Sequence, residues 1–228
     1  LQSAIACDRE NKVKKGMVLP AGQTTQMIVG ASPESDGQIL RLTEYLYRRL
    51  GLKRVYYSSY IPVVASPLLP AKPTGLLREH RLYQADWLLR FYGFDVNELC
   101  GEGENLSEDY DPKCAWALKN MHLFPVEINT APLEMLLRLP GIGAKSAYKI
   151  TEARRFAKLD FDNLAKMRIV LKRARHFITC KGKFYGAEGE AVRTALMIDE
   201  RSRPGGSAEQ LSMFSTPSDA IGALTGQL

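Results

Sequence analysis

One short stretch, Leu139-Pro140-Gly141-Ile142-Gly143, constrains this chain more than any other, because a helical apolar pattern runs into it, breaks, and resumes at once beyond it. The residues from Asn129 or Thr130 predict a first helix, with Pro132 and Glu134 in its opening turn, where a fixed φ and a negative charge are each favoured. Leu136, Leu137 and Leu139 meet Ile142, Ala147 and Ile150 across the break, and Ala147 is small enough to let the two helices cross closely. Gly141 and Gly143 admit backbone conformations and close approaches closed to residues that carry a Cβ. The second helix starts directly after them, so its unpaired N–H groups lie open at the positive end of the helix dipole. Such a bend is either an ordinary tight turn between helices or a ready-made nest for a phosphate.

Local charge favours the nest. From Gly141 to Gly186 there are twelve Lys or Arg against Glu152, Asp160 and Asp162, a net of +9, whereas the whole 228-residue chain carries +6, leaving −3 for the rest. A segment more positive than the entire protein is the footprint expected for a polyanion, since neutralised phosphates release condensed counterions. The plain alternative is a solvated helical face.

The pattern of apolar residues, Gly-Ile-Gly and a later Ala resembles the helix-hairpin-helix motif of DNA repair enzymes and competence DNA receptors. That resemblance implies backbone contacts to DNA phosphates from Gly141, Gly143, Ala144 and Lys145, with Lys149 adding charge one turn on. It also implies a monovalent cation held by the carbonyls of Leu137, Leu139 and Ile142. A copy of the motif that binds protein instead is the competing outcome. Asp162 to Ile178 is similar to a degenerate second copy, with Met167-Arg168-Ile169-Val170 at its bend and Lys172, Arg173 and Arg175 placed to reach the other strand. Lacking glycines, this copy is expected to serve the core more than a nest.

The amino-terminal part has a different rhythm. Thr25 to Ala31 is a short apolar run with β-branched content, and Ser32-Pro33-Glu34-Ser35-Asp36 is a loop that starts a helix. Ile39, Leu42, Leu46 and Leu50 recur at helical spacing up to Gly51, and Val55 to Val63 is an aromatic-rich second strand. The unit reads β-α-β, which implies parallel strands. Pro62, Pro67, Pro70 and Pro73 keep Ser66 to Gly75 from being helical. Leu76 to Tyr92 predicts a helix with Leu77, Leu82, Trp87, Leu88 and Phe91 on one side, and after an acidic, glycine-rich loop Asp111-Pro112 starts another through Asn120.

Four stretches, PAGQTTQMIVGASPESD from Pro20, LLREHRLYQADWLLRFYGF from Leu76, HLFPVEINTAPLEMLLRLPGIG from His122 and VLKRARHFITCKGK from Val170, resemble radical S-adenosylmethionine proteins described as DNA modification or repair enzymes. The likeness runs from about Val18 to Lys183. It implies an α/β fold: residues 1–75 as the C-terminal part of a β/α barrel, 76–125 as a helical connector, 126–186 as an all-α helix-hairpin-helix domain, and 187–228 as a mostly disordered tail. It implies S-adenosylmethionine and a [4Fe-4S] cluster for the full-length family, with Gly30, Ser32, Glu34, Ser58, Ser59 and Tyr60 near the nucleoside because strand ends of such barrels carry the site. A uracil-DNA glycosylase-like protein is the implied partner. One departure decides the chemistry: the family's Cys-x-x-x-Cys-x-x-Cys loop is missing from these 228 residues, and three thiolates are needed to leave one iron open to the cosubstrate. This chain alone is therefore expected to be inactive.

Cys7, Cys100, Cys114 and Cys180 lie too far apart for a metal-ligand pair and predict reduced, mostly buried thiols in a cytoplasmic protein. His122 and His176 predict structural roles, with no second ligand at metal spacing. Arg78, His80 and Arg81 either extend the basic surface or form ion pairs. No apolar run approaches the roughly 20 residues of a membrane helix. Gln210-Leu211-Ser212-Met213-Phe214 is similar to the peptide by which bacterial repair proteins dock on the sliding clamp, with Gln210 and the apolar Leu211, Met213 and Phe214 as anchors. The opening at Leu1, without Met and inside a helical pattern to Val13, suggests a fragment or processed product. Two functions stand at this point: the DNA-binding end of a radical enzyme, or a DNA tether or clamp-associated adaptor without catalysis.

Overall fold

The structure is a computed structural model and describes residues 22–64, 66–187 and 189–201; the clamp-like peptide at 210–214 and Cys7 lie outside these residues. The amino-terminal unit is strand β1 (Thr24–Val29), helix α1 (Asp36–Arg48) and strand β2 (Arg54–Ser59). The strands pair in parallel, Thr24 opposite Arg54 and Val29 opposite Ser59, as a β-α-β unit requires. Helix α1 starts where Ser35 caps it: its hydroxyl accepts the Gln38 amide, and the Gln38 side chain accepts the Ser35 amide. Ile39, Leu40 and Thr43 form its buried face, whereas Leu42, expected inside, is half exposed. Thr43 and Tyr57 share a buried hydroxyl hydrogen bond of 2.9 Å that fixes the helix over the sheet.

Val29, Val55 and Tyr57 face the core, while Gln26, Ile28 and Tyr56 on the other face of the sheet are exposed. Helix α2 (Leu76–Phe91) packs beside β2 through Leu82, Ala85 and Leu88. Trp87 and Phe91 do not join that face: both are about half exposed and stack on each other with ring centroids 4.4 Å apart. Charged groups take the buried positions instead. Asp86 accepts hydrogen bonds from Tyr47 Oη at 2.6 Å and Arg90 at 3.3 Å, and burial raises its carboxyl above the usual range.

Helices α3 (Val96–Leu99) and α4 (Pro112–Lys119) follow, the second capped by Asp111, whose carboxylate accepts the Cys114 amide. The carboxy-terminal part contains β3 (Val126–Glu127), α5 (Leu133–Arg138), α6 (Ala144–Ala153), α7 (Phe161–Lys166), α8 (Leu171–Ala174), β4 (Ile178–Cys180), β5 (Lys183–Phe184) and α9 (Glu190–Arg201).

Two expectations are corrected here. Residues 126–186 are not all-α, because β3, β4 and β5 form a three-stranded sheet in that order, parallel then antiparallel. Glu127 locks it, accepting from Thr179 Oγ1 and from the Lys181 and Gly182 amides at the β4–β5 turn. Nor does disorder extend over 190–201: α9 buries Val192 and Leu196. Helix α5 also starts at Leu133, later than Asn129, because the Asn129 side chain instead bridges Glu127 and the backbone of Leu159.

Among the described residues both sheets are small and neither closes into a barrel. The buried apolar residues form one continuous cluster from Val29 to Leu196, so the basic half is packed on the β-α-β half through shared core. No helix among the described residues is long and apolar enough to cross a membrane.

Candidate nucleic-acid interface

The two glycines of the bend play unequal parts. Gly141 adopts φ +82°, where a Cβ is strained, and an added Cβ would lie 3.2 Å from both the Ala174 amide nitrogen and Arg173 Cβ. Gly143 caps α6 at φ −85°, ψ 168°, a conformation open to any residue, and a Cβ there would meet only Tyr92 Oη at 3.6 Å. Ile142, between them, is buried with Leu136, Leu139, Ala147 and Ile150, the seam expected from their spacing. Arg138 fastens α5 to the rest of the molecule, donating to both Glu98 carboxylate oxygens and to the Gly93 carbonyl while stacking near Phe94 and Trp116.

The first turn of α6 leaves the Lys145 and Ser146 amides without helical partners, as any helix start does. Ala144 differs: its N–H donates to Tyr92 Oη at 3.2 Å, so within this fold it is already satisfied rather than open to a phosphate. Lys145 and Lys149 are exposed on one side of α6 with Tyr148 between them.

Helices α7 and α8 form the second bend. Arg168 there takes φ +59°, the left-handed conformation that Gly141 supplies in the first bend, so the turn forms without glycine. Ile169 is buried in the position corresponding to Ile142, and Arg168 and Val170 are exposed at the tip. The close approach at Gly141 brings the two bends together, with Val170 O, Arg173 Cβ and Ala174 N all against it.

Among the residues expected to reach DNA, Lys172 and Arg175 are exposed. Arg173 is not: it is buried, and its guanidinium donates to Asp111 Oδ2 at 2.5 Å. Burial alone would raise the Asp111 carboxyl, but the Cys114 amide and the Arg173 charge outweigh it and hold the group below its usual range. Arg173 is therefore a structural cation, tied to the start of α4. Arg154 is likewise turned inward, donating to the Ile128 and Ala131 carbonyls. The exposed cations left around the two bends are Lys145, Lys149, Arg155, Lys158, Lys166, Arg168, Lys172, Arg175, Lys181 and Lys183, of which Arg155 pairs with Glu152 and Lys181 with Asp160.

Of the three carbonyls expected to hold a monovalent cation, those of Leu139 and Ile142 are differently engaged. Leu139 O accepts the Ile142 amide at 3.1 Å, and Ile142 O accepts from the ammonium of Lys113 at 2.6 Å. Lys113 Nζ also lies 4.7 Å from the centre of the Tyr92 ring, and burial pushes its amine down to about 7. No sequence signal marked Lys113 or Tyr92, because each is a lone residue at the start or end of a helix far along the chain from the bend.

The parallel pairing of β1 with β2 brings Gly30, Ser32, Glu34, Ser58, Ser59 and Tyr60 to one end of the sheet, as expected of strand ends. Each of them has contacts within the chain. A Cβ at Gly30, itself at φ +83°, would meet Thr74 Oγ1 at 2.0 Å; Tyr60 is buried; Ser58 Oγ accepts from Gln26. Ser59 N donates to Glu79, and the Ser32 hydroxyl to Glu34, whose carboxyl it lowers. The cysteines present do not suit a cluster: Cys100, Cys114 and Cys180 are each buried, burial pushes Cys100 up to about 11 and Cys180 to about 12, and among the described residues no three potential ligands converge.

Arg78 pairs with Asp36, Arg81 is buried against Gln84 and the Glu108 carbonyl, and His80 meets Gln84, so none of the three extends the basic surface. His176 is a structural residue, its Nδ1 accepting the Ala187 amide, and burial, helped by Arg175, lowers its pKa; His122 is exposed. Comparison with known protein families, curated proteins and solved structures found no match to this chain.

Proposed function

We propose that the basic half of this chain binds DNA through its sugar-phosphate backbone, without reading base sequence. The observation that carries the reading is the pair of adjoining bends, at Gly141 and Arg168, with exposed cations around both and open amides at the start of α6. Open amides at a helix start favour an anion, and cations spread over two neighbouring turns suit a repeating line of phosphates better than one small ligand. Contacts of this kind position DNA but carry no base information.

The test is fluorescence anisotropy with random-sequence duplex over a range of salt. With four to six phosphates neutralised, log K should fall against log salt with a slope of roughly −4 to −5, and Lys145→Ala with Lys149→Ala should reduce it by about 2. A preference for one sequence over random duplex would contradict a backbone-only mechanism.

A wider reading is the DNA-binding end of a radical S-adenosylmethionine enzyme. It is favoured by the open face of the parallel β1–β2 pair, where Ile28 and Tyr56 are exposed, because parallel strands are normally covered on both sides. The cluster and its cosubstrate would then be held by residues outside this sequence. A three-cysteine loop encoded upstream of Leu1 would support that reading, and its absence would leave a DNA tether.

A further inference from the structure

The resemblance of the bend to DNA-binding hairpins implies a dissolved monovalent cation on its carbonyls, yet the residues here do not fit one. The Ile142 carbonyl, which would be a ligand, already accepts a hydrogen bond from Lys113 Nζ at 2.6 Å. The ammonium rests 4.7 Å from the Tyr92 ring centre, and the Tyr92 hydroxyl accepts the Ala144 amide, so one aromatic side chain supports both the cation and the start of α6. The neighbouring acid, Asp111, is occupied by Arg173. The charge of Lys113 is thus directed at the bend.

The geometry of one peptide unit connects this contact to binding. In a trans peptide the C=O and the N–H of the next residue point in opposite directions across a rigid plane. Drawing the Ile142 carbonyl to Lys113 therefore turns the Gly143 N–H away from Lys113, at the start of the helix that carries the exposed Lys145 and Lys149. A charge-assisted hydrogen bond holds that orientation more firmly than a neutral one and polarises the N–H it orients.

We propose that Lys113 fills, from within the chain, the place of a bound monovalent cation, aiming the Gly143 amide at a phosphate so that DNA binding needs no particular dissolved cation. Lys113 is a positioning residue in this scheme, since it does not touch DNA. The inference rests on the DNA-binding reading above.

The experiment measures duplex binding by the full chain in mildly acidic buffer, at equal ionic strength, in potassium, sodium, caesium or tetramethylammonium chloride. Wild type should bind with the same affinity in all four, to within about twofold, because counterion release depends on ion valence and concentration far more than on identity. Lys113→Met, which keeps the stem and removes the charge, should bind about tenfold more weakly, the loss expected for one charge-assisted hydrogen bond. Wild-type binding that collapses in tetramethylammonium but holds in potassium would overturn the proposal, as would a folded Lys113→Met protein that binds like wild type. If that variant fails to fold, the wild-type salt exchange decides alone. No wild-type binding in any salt would remove the DNA-binding reading and this inference with it, an outcome distinct from binding that depends on cation identity.

Discussion

Replacing each glycine of the bend with alanine separates what the fold needs from what the surface needs. At Gly141 the backbone sits at φ +82°, where a Cβ costs roughly 1–2 kcal/mol. The methyl would also stand 3.2 Å from the Ala174 amide and from Arg173 Cβ, and Arg173 is anchored by its ion pair to Asp111 and has little room to retreat. With that crowding added, Gly141→Ala should cost about 2–3 kcal/mol. At Gly143 the conformation is ordinary and the nearest contact is 3.6 Å, so Gly143→Ala should fall within about 0.5 kcal/mol of wild type. Urea unfolding followed by circular dichroism reads both. With a denaturant slope near 1–3 kcal/mol/M, the Gly141→Ala midpoint should drop by about 1 M while that of Gly143→Ala stays in place. Equal midpoints for the two variants would refute the assignment of the strained, bend-joining position to Gly141.

Arg173→Met should cost about 3–5 kcal/mol by leaving Asp111 buried without its partner, and in protein that remains folded the salt slope of DNA binding should not change; a reduced slope would return Arg173 to the interface. Arg168→Gly should stabilise by about 0.5–1 kcal/mol by relieving the left-handed φ, yet lower the salt slope by about 0.9, and anisotropy together with urea melts would show both. Glu127 has a folded-state carboxyl at about 2 against an ordinary 4.5: burial opposes ionisation, but the Gly182, Asn129 and Lys181 hydrogen bonds prevail. Its contribution is therefore fully present above pH 4.5 and is lost as pH falls toward 2. Acid titration of Glu127→Gln should show a shallower limb across that window, by about 2 kcal/mol, below the full shift because solvent partly screens the group; limbs of equal steepness would contradict it.

Local signals in the sequence carried the elements whose causes are local. Ser35 before Asp36 and Asp111 before Pro112 each mark a helix start through contacts within four residues, and each start lies where expected. The parallel β1–β2 pair followed from two apolar runs separated by one helix. The three-stranded sheet did not, because strands of two or three residues show no period, and what holds them is Glu127 reaching across to the β4–β5 turn. Trp87 and Phe91 misled because size suggests burial, yet Leu82, Ala85 and Leu88 already fill the contact with the sheet. Charge counting located the basic half but could not distinguish Arg168, exposed at its bend, from Arg173 and Arg154, whose partners lie on distant segments. Lys113 escaped notice for the same reason: its partner, Ile142 O, is a backbone atom that no side-chain pattern reveals.

Amide chemical shifts of the labelled protein, followed as random-sequence duplex is added at low salt, test the backbone-to-phosphate claim most directly. The Gly143, Lys145 and Ser146 resonances should move first and furthest, together with those of the Arg168 bend, and should return as salt is raised. Shifts confined to other surfaces, or none while the bend resonances stay sharp and fixed, would contradict it.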